Sequence, residues 1–151
     1  MESPRWLTAD ESRAWYGYRR MRALLDLHNA RALAASSGLS EADYDVLSTL
    51  SEAGNRLRLN ELADHLLWSR SRLSHQLTRM RGRGLIVRED CETDGRGAFV
   101  ALSEEGVRVI VEAAPAHVAF VRRSFIDLLT PEQLAVLAEV TEAVVENLGE
   151  D

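Results

Sequence analysis

Apolar residues recur at helical spacing along most of this chain, with a short stretch of alternation near its middle. Thr8 or Asp10 can cap a first helix running to about Ala35. Along it Ala14, Tyr18, Met21, Leu25, His28, Ala32 and Ala35 alternate spacings of four and three, which makes one apolar stripe. "SSGLS" ends that helix, and Ser40 caps a second from Glu41 to about Ala53, with Tyr44, Leu47 and Leu50 inward. "RLRL" reads as a short extended piece. Asn60 is the expected cap of a third helix ending at Leu66, with Leu62, Ala63 and Leu66 buried. Ser69 caps a fourth, from Arg70 to about Arg81, which Gly82 and Gly84 close. "LIVR" and "AFVAL" then read as two strands around the polar turn "EDCETDGRG". Ser103, followed by two glutamates, starts a long helix toward Leu129; Pro115 inside it is expected to kink or divide it. "TPEQ" at Thr130–Gln133 supplies a hydroxyl cap, a proline at the first helical position and a capping-box glutamine. The last helix reaches about Leu148, with Leu134, Leu137, Val140, Val144 and Leu148 on one face.

The fold class this predicts is mainly α: a helix–turn–helix followed by a small β-hairpin, framed by helices at both ends. At 151 residues the chain is expected to be one domain, or one domain with an extended dimerisation region. The first helix would be roughly 37 Å long at about 1.5 Å per residue. That length, and the apolar face of the last helix, exceed what a single domain of this size can cover. A homodimer is therefore expected.

Charge changes the picture once it is divided. The formal net charge is −6, yet Arg56–Arg96 holds nine arginines against six acids, and the remainder nine against eighteen. From Leu66 to Arg88 there are six arginines and no carboxylate, and beyond Arg123 there is no basic residue. A basic middle between acidic ends points to a local polyanion-binding face. On a helix at 100° per residue, Leu73, Leu77 and Met80 form the buried side of Arg70–Arg81. Opposite lie Ser71, His75 and Thr78, flanked by Ser74 on one edge and by Arg72 and Arg79 on the other. Short donors and guanidinium groups without an acid suit the major groove, where arginine pairs with guanine and Ser, Thr or His reaches base edges or phosphate. In the turn after the first wing strand, Asp94-Gly95-Arg96-Gly97 would put Arg96 at a tip able to enter a minor groove, with Asp94 placed to fix its direction. The plainer readings are a solvated basic helix and an ordinary β-turn; two elements aimed at adjacent grooves favour DNA.

These residues resemble the MarR family of bacterial transcriptional regulators. "RLNELADHLLWSRSRLSHQLTRMRGRGLIVRE", then "DGRG" and "LSEEG", carry the likeness, which is most specific from Leu59 to Gly106 and extends over nearly the whole chain. The resemblance implies a winged helix–turn–helix in residues 40–102 and dimerisation helices in 1–37 and 103–151. It implies a homodimer on a double-stranded, pseudo-palindromic DNA operator, acting as a repressor released by a small-molecule effector. By this match Ser69–Arg81 is the recognition helix, so Ser69, Arg70, Ser71, Arg72, Ser74, His75, Thr78 and Arg79 are the expected DNA contacts. Asp94 and Arg96 fall in the family's Asp-x-Arg wing motif. Its middle position, often a second arginine, is Gly95 here, so one potential phosphate partner is missing.

Effector binding in the family implies wall residues between the dimerisation helices and the winged domain. Tyr16, His28, Asp45, Trp68 and His117 are the candidates, with Tyr18 and Asn29 beside them. Structural roles compete with each: His28 as an interface histidine, Trp68 as packing in the turn. Cys91 has acids on both sides, which raise a thiol's pKa and blunt it as a redox sensor. Four scattered histidines and one cysteine have no metal-ligand spacing, and no cofactor is expected. The chain has no phosphate loop or nucleophile elbow, so it is read as a non-enzyme. No apolar run is long enough for a membrane span, no signal peptide is expected at the start, and the single cysteine suits a cytoplasmic protein. The rival reading is a winged-helix module for protein contact without DNA binding, which would associate independently of salt.

Overall fold

The computed structural model describes residues 1–89 and 97–149. Helix α1 spans Ala9–Ser37, α2 Glu41–Glu52, strand β1 Arg56–Arg58, α3 Leu59–Leu66 and α4 Arg70–Gly82. Strands β2 (Ile86–Glu89) and β3 (Phe99–Leu102) follow, then α5 (Glu104–Ser124), a 3-10 turn at Ile126–Leu128 and α6 (Pro131–Gly149). The architecture is a winged helix framed by long terminal helices, as the pattern predicts.

The predicted hairpin gains a third strand. β3 lies in the middle of an antiparallel sheet ordered β1-β3-β2, with Arg58 opposite Phe99 and Ile86 opposite Leu102. This also explains why Asn60 is not the cap of α3. Arg58 occupies the cap position in extended conformation, and the Leu59 N–H donates to the Ala98 carbonyl at 2.9 Å. That bond takes the first N–H of α3, and no side-chain cap forms. At α1, α2 and α6 the expected caps are present: Thr8 with Glu11, Ser40 with Asp43, and Thr130 with Gln133 close reciprocal boxes.

α5 ends at Ser124, short of Leu129, because Phe125 leaves the helical region at φ −143°, ψ −66°. Pro115 does not divide it. The ring removes one backbone bond, to the carbonyl of Val111, a residue that faces solvent.

The core sits where α2, α3, α4, the sheet and α5 meet. Val46, Leu47, Leu50, Leu62, Leu73 and Met80 are fully enclosed there. Gly106, in the first turn of α5, lies against the backbone of Leu85, and a Cβ at that position would stand 2.0 Å from the Leu85 carbonyl oxygen. Ser103 ties the same region: its N–H donates to Leu85 O, its hydroxyl to Gly84 O, and its Oγ accepts from Gly106 N–H.

The stripe expected on α1 is not what the chain buries. Leu33 is buried, with Leu25, Asn29 and Ala32 half-buried, whereas Tyr18, Met21 and His28 are exposed. Trp6, Trp15 and Tyr16 are also exposed. α6 has no buried residue, and Val140, Val144 and Leu148 stand in solvent. Both faces are apolar without cover in the single chain.

Candidate nucleic-acid interface

α3 ends because Leu67 takes the left-handed conformation at φ 56°. Ser69 then takes extended geometry, and its hydroxyl accepts the Arg72 N–H at 3.1 Å to open α4. Leu62 and Ala63 on α3, and Leu73, Leu77 and Met80 on α4, lock the two helices onto the core. Arg70, Ser71, Arg72, His75, Thr78 and Arg79 are exposed, and Ser74 is half-buried. Ser71, Arg72, Ser74, His75, Thr78 and Arg79 thus lie on or beside one outward face, and Arg70 is exposed at the first position of the helix. Asp94, Arg96 and Cys91 lie outside the described residues.

Two of these side chains are less available than their type suggests. The Thr78 hydroxyl donates to Ser74 O at 2.9 Å, so it offers a methyl group and lone pairs outward. Arg72 stacks on the Trp68 ring, 4.0 Å from guanidinium carbon to centroid. Trp68 is half-buried and packed against the core, which gives that stack a firm base.

The sequence reading missed a polar cluster behind this face. Asp43 and Gln76 are the buried polar side chains among the described residues. The Asp43 carboxylate accepts from Gln76 Nε2 at 2.6 Å, from Arg83 Nη1 at 2.8 Å and from the Ser40 N–H at 3.0 Å. Burial alone would push this carboxyl up, but the bonds from Arg83 and Ser40 outweigh it and hold it below the usual range. Gln76 Oε1 in turn accepts from Arg79 Nη2 at 2.7 Å. A signal was present: Gln76 lies on the Leu73–Leu77–Met80 side of the helix, and a buried amide requires partners.

The five effector candidates do not form one wall. Tyr16 is exposed in a groove with Arg19, Arg20, Leu24 and Leu27, and His28 is exposed elsewhere on α1. Desolvation pushes the Asp45 carboxyl up, with the charge of Arg72 opposing and that of Asp26 adding, so Asp45 lies within electrostatic reach of Arg72 on α4. His117 stacks on Tyr44, ring centroids 4.3 Å apart, and burial pushes its imidazole pKa down. Its Nδ1 is buried without a hydrogen-bond partner, as is Asn29 Oδ1, while Asn29 Nδ2 donates to Glu41 at 3.2 Å. Among the described residues no group of His, Cys, Asp and Glu is placed to hold a metal, and no helix is long and apolar enough to cross a membrane.

Comparison with known proteins agrees with this geometry. Residues 37–97 match the MarR family. The crystal structure of AbsC, a MarR family transcriptional regulator from Streptomyces coelicolor, is similar with TM-score 0.93 and 42% identity, covering 98% of this chain and 100% of that one. Sco3205 from the same organism, a MarR family regulator solved in complex with DNA, gives TM-score 0.91 and 42% identity over 98% of this chain and 93% of its own. An uncharacterized HTH-type transcriptional regulator of Bacillus cereus is 30% identical over 106 residues, 70% of this chain and 69% of that protein.

Proposed function

Because the chain belongs to the MarR family of DNA-binding transcriptional regulators, we propose that it acts as a homodimeric, ligand-responsive repressor on a pseudo-palindromic duplex operator. The observation that carries the reading is the outward face of α4. It is an acid-free surface of Ser71, His75, Thr78 and two arginines, fixed to the core by Leu73, Leu77 and Met80. Arg72 and Arg79 read base edges or phosphate, Ser69, Arg70, Ser71, Ser74, His75 and Thr78 complete the contact, and Asp94 and Arg96 in the wing serve the adjacent minor groove. Residues 40–102 form the reading unit, and 1–37 with 103–151 form the dimerisation unit.

Pairing is supported by the two uncovered apolar faces. Met21, Phe125 and Leu129 line a groove with Val136 and Val140 of α6, and Trp6, Trp15 and Tyr16 extend the apolar surface along α1. Patches of that extent on a soluble chain mark association. The effector reading is supported at His117. The half-buried His117 ring stacked on Tyr44, with its Nδ1 buried and unpartnered, is a wall suited to a small polar or aromatic molecule.

The test is selection of duplexes from a random pool, followed by binding across a salt series and mass measurement in solution. A two-fold symmetric motif, a dimeric mass and affinity that falls steeply with salt are expected. Arg72→Ala should relax base preference at one position of the selected site, costing about 1–3 kcal/mol there. A monomer, or salt-independent binding to protein alone, overturns the reading.

A further inference from the structure

Arg72 and Arg79 are seven residues apart on α4, hence within about 20° of one another around the helix and roughly 10 Å apart along it. Both are exposed, and both are held by a partner of the protein's own: Arg72 by the Trp68 ring, Arg79 by Gln76 Oε1. Gln76 is itself fixed. Its Nε2 meets a carboxylate and its Oε1 meets a guanidinium, so reversing the amide would set oxygen against oxygen and nitrogen against nitrogen. Asp43 anchors that amide from α2, and is anchored in turn by Arg83 and the Ser40 N–H.

We propose that Gln76, oriented by Asp43, is a positioning residue for DNA binding: it occupies one amino group of Arg79 from behind and presents the rest of that guanidinium to the duplex. The inference rests on the DNA-reading function argued above. An arginine ordered before binding loses less side-chain freedom on meeting a phosphate or a base, and the saving appears as affinity. The chemistry fits an amide alone. Glutamate would repel Asp43, and an apolar side chain would leave Arg79 unheld.

The probe is the duplex that the wild-type full-length protein enriches from a random pool. Its affinity is measured by fluorescence anisotropy over a salt series for wild type, Gln76→Met, Arg79→Ala and the double variant. Gln76→Met should weaken binding roughly two- to tenfold in the wild-type background and less than about twofold when Arg79 is already alanine. The slope of log affinity against log salt should shrink with Gln76→Met in the same direction as with Arg79→Ala, by up to about 0.9. Damage to the fold alone would lower the active fraction and leave that slope unchanged. Equal losses in both backgrounds, or wild-type affinity in Gln76→Met, overturn the proposal while the DNA-reading function stands; a wild-type protein that enriches no duplex overturns both. A second measurement needs no variant. The Arg79 Nε–H group of the free wild-type protein should be more rigid by NMR relaxation than those of Arg70 and Arg81, and equal mobility overturns the proposal.

Discussion

Gly106→Ala adds one methyl group, and the structure says where it must go. The new Cβ would stand 2.0 Å from Leu85 O, 3.1 Å from Leu85 C and 3.4 Å from Leu102 Cδ2. Relief requires the Leu85 carbonyl to retreat by about 1 Å, toward ordinary contact. Leu85 cannot retreat alone, because its N–H donates to Met80 O at 3.1 Å and its carbonyl accepts from Ser103 N–H at 3.1 Å. Overpacking of this kind costs about 1–3 kcal/mol, and a backbone bond lost with it about 1 kcal/mol more. The helix preference of alanine over glycine returns about 1 kcal/mol. The net expectation is a destabilisation of about 1–3 kcal/mol, an appreciable part of a typical domain's stability. Urea unfolding at fixed protomer concentration measures it. Gly82→Ala is the control: nothing lies within 4 Å of its added Cβ, so the same substitution should stabilise by up to about 1 kcal/mol. If Gly106→Ala is neutral or stabilising, the close packing of α5 on Leu85 is not as described.

Leu67→Gly should stabilise by about 0.5–1 kcal/mol in the same assay, since Leu67 holds a left-handed conformation while its side chain stands in solvent; a loss would mean that the side chain has cover. Asp43 is held below its ordinary pKa of 3.8, so its contribution is complete above that value and fades as pH falls through the lower folded one. Asp43→Asn should therefore flatten the acid limb of the stability curve, read by urea titration between about pH 5 and pH 2. His117 has its folded pKa lowered below 6.5, so unfolding takes up a proton that the native state resists. Stability should drop as pH falls through 6.5, levelling only when the buried imidazole itself titrates, and His117→Phe should remove that drop.

Much of this was legible before any coordinates. Periodicity placed the six α-helices of the described residues, and in α2, α3 and α4 Leu47, Leu62, Leu73 and Met80 each face the core at the spacing of their element. Ser69 was readable as the start of the reading helix, because a hydroxyl before a run without glycine or proline has a local job. What escaped depended on distance along the chain. Asp43 reaches Gln76 and Arg83 across 33 and 40 residues, and no local pattern encodes those contacts. The pairing of the third strand escaped likewise: "RLRL" reads as extended, but nothing in so short a piece signals that β3 lies beside it. The cover of the α1 stripe is not legible for another reason: a period reports that a face is apolar, not whether its cover lies in the same chain.

The triple role of Ser103 makes α4, the start of β2 and α5 a single lever. Gly84, at the exit from the reading helix, Leu85 at the foot of the wing, and the first turn of α5 all meet at that one residue, so a change in the tilt of α5 swings them together. The arm is about 30 Å long at 1.5 Å per residue. A rotation of about 5° at its far end would carry the head some 3 Å sideways, the length of a hydrogen bond. A molecule that wedged the distal helices apart by that small angle would displace α4 and the start of the sheet together without touching either.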